Sequence, residues 1–135
     1  MTSELRVDNL KGSTTGGSIN VLGEGTSATT NLQQGLAKMW IFFNGSGVVA
    51  TEDSFNATSL TDNGTGDHTM TVSSAMANGD YCFGACGSDH SNNARHIFHE
   101  GANPSTTEFR TRTTDSSNSS ADSSFQSMSM TGDLA

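Results

Sequence analysis

The amino-acid sequence predicts an all-β protein, with an antiparallel β-sandwich or jelly-roll-like head domain preceded by a short β-rich N-terminal segment. The first observation is the composition: charged residues make up only 15% of the chain, which contains 15 glycines and a single proline. Its many Ser, Thr, Asn and Gly residues favour strands and tight turns over helices. The second observation is that short apolar runs recur roughly every ten residues with turn residues between them, as in a sandwich.

The N-terminal segment, residues 1–37, contains too few large apolar residues to build a core of its own. Glu4–Asp8 alternates apolar and polar residues, as in a half-buried strand, and Ser18–Leu22 has a second short strand pattern. Asn31–Ala37 is compatible with one helical turn. The segment is either a flexible tail or a region that pairs with copies of itself or a larger partner. The alternation favours pairing, through an attachment set consisting of Leu5, Val7, Leu10, Ile19 and Val21.

The head domain is predicted over residues 38–135 and begins with the most apolar run of the chain, Lys38–Phe43. In a strand, Trp40 and Phe42 point to one face, and the opposite face receives Met39, Ile41 and Phe43. A strand that is apolar on both faces is expected to be covered on both sides, by a second sheet or by a neighbouring subunit. Asn44-Gly45 then predicts a hairpin, because both residues accept a positive φ.

Further strands are predicted at Ser54–Leu60, His68–Ser73, Tyr81–Cys86, Ala94–Glu100, Thr106–Thr113 and Ser124–Thr131. Within them, Phe55 and Leu60 are expected to point inward. Other same-face sets are Met70 with Val72, and Met128 with Met130, while Phe109 opposes Arg110 and Arg112.

The segments between these strands are predicted to be turns and loops. Gly87–Asn93 and Asp115–Ser123 are expected to be exposed loops. The four Asn-x-Ser/Thr sequences are interpreted as turn chemistry rather than glycan acceptors; they begin at Asn44, Asn56, Asn63 and Asn118.

Charge and cysteine content exclude several classes of protein. Six basic against 14 acidic residues give a formal net charge of −8, and no Lys/Arg patch is present to bind a nucleic-acid backbone. Two cysteines do not make a secreted disulfide scaffold. Met1–Leu10 lacks the apolar run of a signal peptide, and no segment approaches membrane-spanning length. We therefore predict synthesis in a cytoplasm, with no nucleic-acid partner and no membrane insertion.

The strongest metal-ligand candidates lie within eighteen positions of one another: Cys82, Cys86, His90, His96 and His99. Cys82 and Cys86 share a strand face with Cα atoms roughly 13 Å apart, which is beyond disulfide reach and awkward for tetrahedral zinc. A zinc site would need a bulge at Gly84. Buried thiols and loop histidines are the favoured interpretation, so no metal or cofactor is predicted.

Other sites for chemistry are weaker. The Asp62–Asp67 loop could hold calcium, but Ser73 occupies the position of the glutamate that closes an EF-hand, so a turn is favoured. No Gly-x-Ser-x-Gly elbow organises a nucleophile, and an enzyme is not predicted. A binding surface is predicted on exposed loops, over His90–His99 and Asn103–Thr107, although solvated decoration fits equally well. Its candidate residues are His90, Asn92, Asn93, His96, His99, Asn103 and Thr106.

Four segments resemble the short tail-fibre-like virion structural proteins of marine and cyanobacterial bacteriophages: Thr2–Lys11, Gly35–Gly47, Ser54–Asp67 with the strand that follows it to Met76, and Gly132–Ala135. The most specific part is the run Leu60–Asp67 after Phe55. The resemblance implies a virion component, usually trimeric, with an N-terminal attachment segment and a C-terminal β-rich head. It brings no catalytic residues.

The resulting functional expectation is a multi-copy structural protein of a phage particle, assembled in the host cytoplasm. A homotrimer would dock through residues 1–37 onto another virion protein and project its head. Two placements stay open. A tail-fibre module would contact a host surface glycan or receptor, whereas a capsid decoration or head-fibre protein would stabilise the phage head without host binding. A soluble metal-dependent enzyme is a third and less favoured class.

Overall fold

A computed structural model describes residues 4–14, 19–22, 28–101 and 104–132, which form ten strands and no helix. The fold is all-β, as predicted. The strands are β1 Asn20–Leu22, β2 Thr29–Asn31, β3 Ala37–Asn44, β4 Ala50–Phe55, β5 Ala57–Gly64, β6 Asp67–Val72, β7 Cys82–Ser88, β8 Ala94–His99, β9 Glu108–Thr114 and β10 Phe125–Thr131. The chain divides into a unit that ends at Leu36 and a unit that begins at Ala37. The boundary predicted from the sequence lay one residue later, between residues 37 and 38.

The first unit contains one two-stranded antiparallel ladder, in which β1 pairs with β2. After β2 the chain makes a turn, in which the Asn31 side chain accepts hydrogen bonds from the amides of Gln33 and Gln34 at 2.9 and 3.3 Å. The predicted strand at Glu4–Asp8 is wrong: these residues form no strand and are exposed. Alternation makes a strand only where a neighbour pairs the backbone groups, and in the described part of this unit only β1 and β2 pair.

The second unit is an eight-stranded antiparallel sheet with the order β4-β3-β10-β7-β8-β9-β6-β5. β7 and β8 pair only at Gly87–Arg95 and Ser88–Ala94, so the sheet separates there into two halves. The β3 half contains β4, β3, β10 and β7, and the β6 half contains β8, β9, β6 and β5. The outer strands β4 and β5 are consecutive in the chain and joined through Asn56. The sheet therefore folds over into a nearly closed barrel, consistent with the predicted sandwich or jelly-roll-like class.

The core lies between the two halves. Phe109 of β9 is fully buried, and its ring contacts those of Tyr81, Phe83 and His99 at centroid distances of 6.0, 4.8 and 5.3 Å. The predicted alternation is confirmed for the inward residues of four strands. They are Met39, Ile41 and Phe43 of β3, Met70 and Val72 of β6, Phe109 of β9, and Met128 and Met130 of β10. Five of the six methionines line this core, where flexible thioethers fill irregular space.

The region predicted as one strand, Ser54–Leu60, is in fact the end of β4 and the start of β5. Asn56 lies between them with a φ of 59°, a left-handed conformation that interrupts the strand. Its side chain donates a hydrogen bond to the Lys38 carbonyl at 2.8 Å. Phe55 was expected to point inward, and this prediction is wrong. It pairs opposite Trp40 on the outer side of the sheet and is 53% exposed.

Strand register places four connections at one end of the head domain, three hairpins and the crossover from β9 to β10. Phe43 lies opposite Gln126, Gln126 opposite Gly87, and Gly87 opposite Arg95, so the β3–β4, β7–β8 and β9–β10 connections are neighbours. The pairing of Asp67 with Arg112 adds the β5–β6 connection. We call this the loop end. β3 begins and β10 finishes at the opposite end, because both run antiparallel to β4 and β7.

Candidate functional site

The loop end brings together four of the seven residues predicted to bind a partner. His90, Asn92 and Asn93 lie in the β7–β8 loop, and His96 follows on the exposed side of β8. Asn92, Asn93 and His96 border a polar cleft that the β9–β10 loop completes with Asp115 and Ser116. The side chains offer amide, imidazole, hydroxyl and carboxylate groups, which suit a polar ligand.

The other predicted binding residues lie elsewhere, so the surface expected over residues 90–99 and 103–107 is not continuous. β8 is a regular strand of six residues that carries the chain roughly 17 Å from Ala94 to His99. His99 is half-buried against Phe109, with ring centroids 5.3 Å apart. Thr106 belongs to the β8–β9 connection at the opposite end of the head from the loop end. Asn103 lies outside the described residues.

The β7–β8 loop is held together by Asp89. Its Oδ1 accepts hydrogen bonds from the amides of Ser91 and Asn93 at 2.8 and 2.9 Å. Its Oδ2 accepts from Asn93 Nδ2 at 2.8 Å and from the Arg95 guanidinium at 2.9 Å. These bonds, the Asn93 side chain first, lower the pKa of Asp89 to about 2. The carboxylate is therefore a structural anion in this loop.

The β9–β10 loop repeats the same structure. Asp115 Oδ1 accepts from the amides of Ser117 and Ser119 at 2.8 and 2.9 Å. Asn92 and Asn118 occupy equivalent positions, each with a φ of 61°. Asparagine tolerates this left-handed conformation better than most residues. The cleft at the loop end is thus framed by two hydrogen-bonded loops whose aspartates are already engaged with their own backbones.

The metal-ligand candidates do not converge. Cys82 and Cys86 share the outward face of β7, and both are exposed, so the expectation of buried thiols is wrong. His90 packs against Phe125 at the loop end, with centroids 5.1 Å apart. Over the described ranges, no three His, Cys, Asp or Glu side chains form a group that could hold a metal ion.

The Asp62–Asp67 loop uses its carboxylates internally. Asp62 accepts a hydrogen bond from the Gly64 amide at 2.9 Å. Arg110 donates two hydrogen bonds to Asp67, from Nε to Oδ1 at 2.8 Å and from Nη2 to Oδ2. This pairing lowers the pKa of the Asp67 carboxyl. Asn63 also donates to Asp67, at 3.2 Å. The turn itself is shorter than predicted, because Asp62 and Asn63 belong to the end of β5 and Asp67 begins β6, which leaves Thr65 and Gly66 between the strands.

A buried polar cluster lies in the core beneath the loop end. His68 and Gln126 are fully buried, and Thr113 donates a hydrogen bond to Gln126 Oε1 at 3.0 Å. Gln126 Nε2 and Thr111 Oγ1 have no hydrogen-bond partner in the described part of the chain, and the His68 ring nitrogens make no well-formed hydrogen bond there, although the Gly45 backbone lies close to the ring. Burial lowers the pKa of His68, so its neutral form is favoured. The alternation that places Met70 and Val72 inward also places His68 inward, and this was the signal in the sequence.

The most unusual surface of the head domain is the outer side of the β3 half. Four aromatic residues lie on it, and their exposed fractions are between 37% and 53%: Trp40, Phe42, Phe55 and Phe125. The positions between them are occupied by small residues, which are Gly84, Cys86, Ser127 and Ser129. We call this set the apolar face. β3 was expected to be covered on both sides, but in the described chain only its Met39 side is buried.

The outer side of the β6 half has a different composition. Asp67, Thr69 and Thr71 of β6 lie opposite Arg112, Arg110 and Glu108 of β9. We call these six residues the charged face. Cross-strand pairs of opposite charge and threonine are typical of a sheet surface in contact with water.

Comparison of the chain with protein-family models, curated proteins and solved structures finds no match. Within the described residues, no helix is long and apolar enough to cross a membrane. Inference about function therefore rests on the residues and surfaces described above.

Proposed function

We propose that this protein is a structural component of a bacteriophage particle, present in multiple copies as a homotrimer that docks through its N-terminal segment. The observation that carries the proposal is apolar surface that the described part of the chain leaves exposed. Leu5, Val7 and Leu10 are 76%, 54% and 55% exposed, and the head domain adds the apolar face. Exposed apolar surface of this extent marks sites of association. The association with phage comes from the sequence resemblance at Thr2–Lys11, Gly35–Met76 and Gly132–Ala135.

The position of the chain connection supports an attached and projecting head. Glu4–Asp8 alternates apolar and polar side chains without a partner strand in the described chain, so a strand of another virion protein can supply one. β3 begins at the end of the head opposite the loop end. Along the strands of the head domain, the connections of the loop end are therefore at the far end from the residue at which β3 begins.

Two placements on the particle follow from the same architecture. As a tail-fibre module, the protein would use the polar cleft at the loop end to contact a host glycan or receptor. As a capsid decoration or head-fibre protein, it would stabilise the head without host binding.

Immuno-gold labelling of intact phage particles tests the proposal and its placement. We expect label on the particle, at the capsid for decoration and at the tail for a fibre module. Particles that carry no label, although the antibody binds the purified protein, would refute the virion role.

The docking role of the N-terminal segment is tested by a matched pair of variants. Leu5→Asp and Val48→Asp each place a carboxylate on an exposed apolar position, 76% and 84% exposed respectively. Burying an unpaired carboxylate in an interface is costly, so Leu5→Asp should reduce incorporation into particles by about tenfold or more. Val48→Asp should be incorporated normally. Equal incorporation of the two variants would contradict docking through this segment.

A further inference from the structure

The apolar face has a shape that can receive a copy of itself. Trp40 and Phe42 project side by side from β3 and form a ridge. Strand register places Ser127 beside Phe42 and Ser129 beside Trp40 on β10. On β7, Cys86 lies beside Ser127 and Gly84 beside Ser129. Two small-residue rows therefore form a trough next to an aromatic ridge, and shallow grooves are present along this line.

The apolar face is also nearly free of charge in an acidic protein. β7 and β10 contain no charged residue, and the only one in β3, Lys38, is 4% exposed. The charges nearest the ridge are on β4, where Asp53 lies opposite Phe42 and the exposed Glu52 occupies the bulge beside it, so they stand at one edge of the face. The whole chain has a net charge of −8. Copies with this charge repel one another wherever their acidic surfaces meet, and a neutral face is where they can approach.

These observations identify the occupant of the face. A strongly charged partner would find no complementary groups there, whereas a second copy brings both a ridge and a trough of matching chemistry. We propose that the apolar face is the contact between copies of this chain, with Trp40 and Phe42 of one copy packed over Ser127, Ser129, Gly84 and Cys86 of the next. A ridge-to-trough contact is heterologous and can close into a ring, including a ring of three. The inference rests on the proposed multi-copy role and assigns its interface.

The contact is tested on the purified full-length protein by light scattering across the micromolar range. The wild-type protein should have a mass at least twice that of one chain, which is 14.1 kDa. Phe42→Glu should shift it to the monomer mass by weakening association more than about tenfold. Phe98→Glu is the matched control, because Phe98 is 36% exposed against 39% for Phe42 and lies on the β6 half. It should leave the mass unchanged.

Thiol labelling gives a second readout of the same face. In a Cys82→Ser background, Cys86 is the single thiol of the chain, and it is exposed on one copy. Assembly should cover it, so a maleimide should react more slowly with assembled protein than with the Phe42→Glu variant, by about tenfold. Ser129→Glu, a trough substitution, should have the same effect as Phe42→Glu, and it replaces that variant if circular dichroism shows that Phe42→Glu is unfolded.

Two results would overturn the inference. One is a wild-type protein that is monomeric throughout the micromolar range. The other is an oligomer whose mass and Cys86 reactivity are the same in the wild type, Phe42→Glu and Ser129→Glu, which would mean that another surface holds the copies together. The immuno-gold experiment is independent of both. If particles are labelled but the purified protein is monomeric, this interface is refuted and the virion role is not. If the protein is an oligomer but particles are not labelled, the virion role is refuted and the interface is not.

Discussion

The two halves of the folded sheet contribute to one core but differ on their outer sides. The β3 half presents aromatic and small residues outward, and the β6 half presents Asp, Glu, Arg and Thr. Phe42 and Phe98 stand at comparable exposures, 39% and 36%, but Phe42 has Trp40 two residues before it on the same face, whereas Phe98 lies opposite Arg112. A strand needs only one apolar face to join a sandwich. The second apolar face of β3 is therefore not needed by the fold of the domain and indicates contact with another molecule.

The largest expected effect compares neighbouring residues on opposite sides of β3. Phe43 is fully buried and its ring meets His68 at 5.3 Å, so Phe43→Ala should lower the free energy of unfolding by about 3–5 kcal/mol. Phe42→Ala removes a ring that is 39% exposed and should cost about 1 kcal/mol in dilute protein. Urea denaturation measures both.

Protein concentration sharpens this comparison. If copies cover the apolar face, the loss caused by Phe42→Ala should grow with protein concentration, since association stabilises the folded state by mass action. The loss caused by Phe43→Ala should stay large at every concentration. Equal losses for the two variants in dilute protein would contradict the assignment of inner and outer faces.

Two glycines provide the next comparison. A Cβ on Gly45 would lie 2.4 Å from Gln126 Nε2 and 2.9 Å from His68 Cε1, inside the buried polar cluster. Gly45→Ala should therefore destabilise the fold by about 1–3 kcal/mol. A Cβ on Gly84, in the trough of the apolar face, meets no described atom within 4 Å. Gly84→Ala should be neutral or stabilising by about 0.4–1 kcal/mol in dilute protein.

Thermal or urea denaturation of both glycine variants checks the expectation. An equal effect of the two substitutions would mean that the space around Gly45 is not restricted. Gly84→Ala has a second use, because it partly fills the proposed trough. It should weaken association between copies while leaving the single chain intact.

The sequence predicted the inner faces well because alternation in a two-sided sheet is a local signal. Met128 with Met130, and Phe109 against Arg110 and Arg112, follow from period two alone. Phe55 could not be placed in this way. Its orientation depends on Asn56 adopting a left-handed conformation, and that conformation is stabilised by hydrogen bonds with distant residues, to Lys38 and from Ser74.

The candidate site was less predictable, because it depends on which loops meet. Asn92, Asn93 and His96 lie beside Asp115 because β8 pairs with β9, and these two strands are joined by a long connection. Sequence proximity grouped His99 and Thr106 with His90, but the length of β8 separates both residues from the loop end. The Glu4–Asp8 alternation predicted a strand whose partner is not in the described chain. In each case the missing information was non-local pairing.

A third prediction concerns pH and the buried polar cluster. Burial lowers the pKa of His68 below its ordinary 6.5. The unfolded chain therefore binds a proton at this residue more readily than the folded chain, and stability should fall as the pH drops below about 6.5. The neighbouring carboxylates of Asp62, Asp67 and Asp122 oppose the shift and limit the loss.

Urea midpoints measured between about pH 7.5 and 5 test this prediction for the wild type, His68→Gln and His96→Gln. The dependence of the urea midpoint on pH should become weaker in His68→Gln than in the wild type. It should persist in His96→Gln, the control, because His96 is exposed on the outer side of β8. Unchanged slopes in all three proteins would show that the buried imidazole does not couple folding to pH in this range. The carboxylates Asp67 and Asp89 have lowered pKa values, so their contribution should be lost only at more acidic pH.

The smallest expected effect lies on the charged face. Asp67 and Arg110 form a bidentate pair, but the Arg110 side chain is 49% exposed and water screens the interaction. Arg110→Ala should lower the urea midpoint only slightly, and the difference should vanish in molar salt. Arg95 is a useful contrast, since its side chain is 12% exposed, pairs with Asp89 and donates to the Asp122 carbonyl. Arg95→Ala should lower the midpoint further, and salt should abolish less of that loss. A large, salt-resistant effect of Arg110→Ala would mean that the charged face is a structural network, and the contrast with the apolar face would then no longer identify the solvent side of the head.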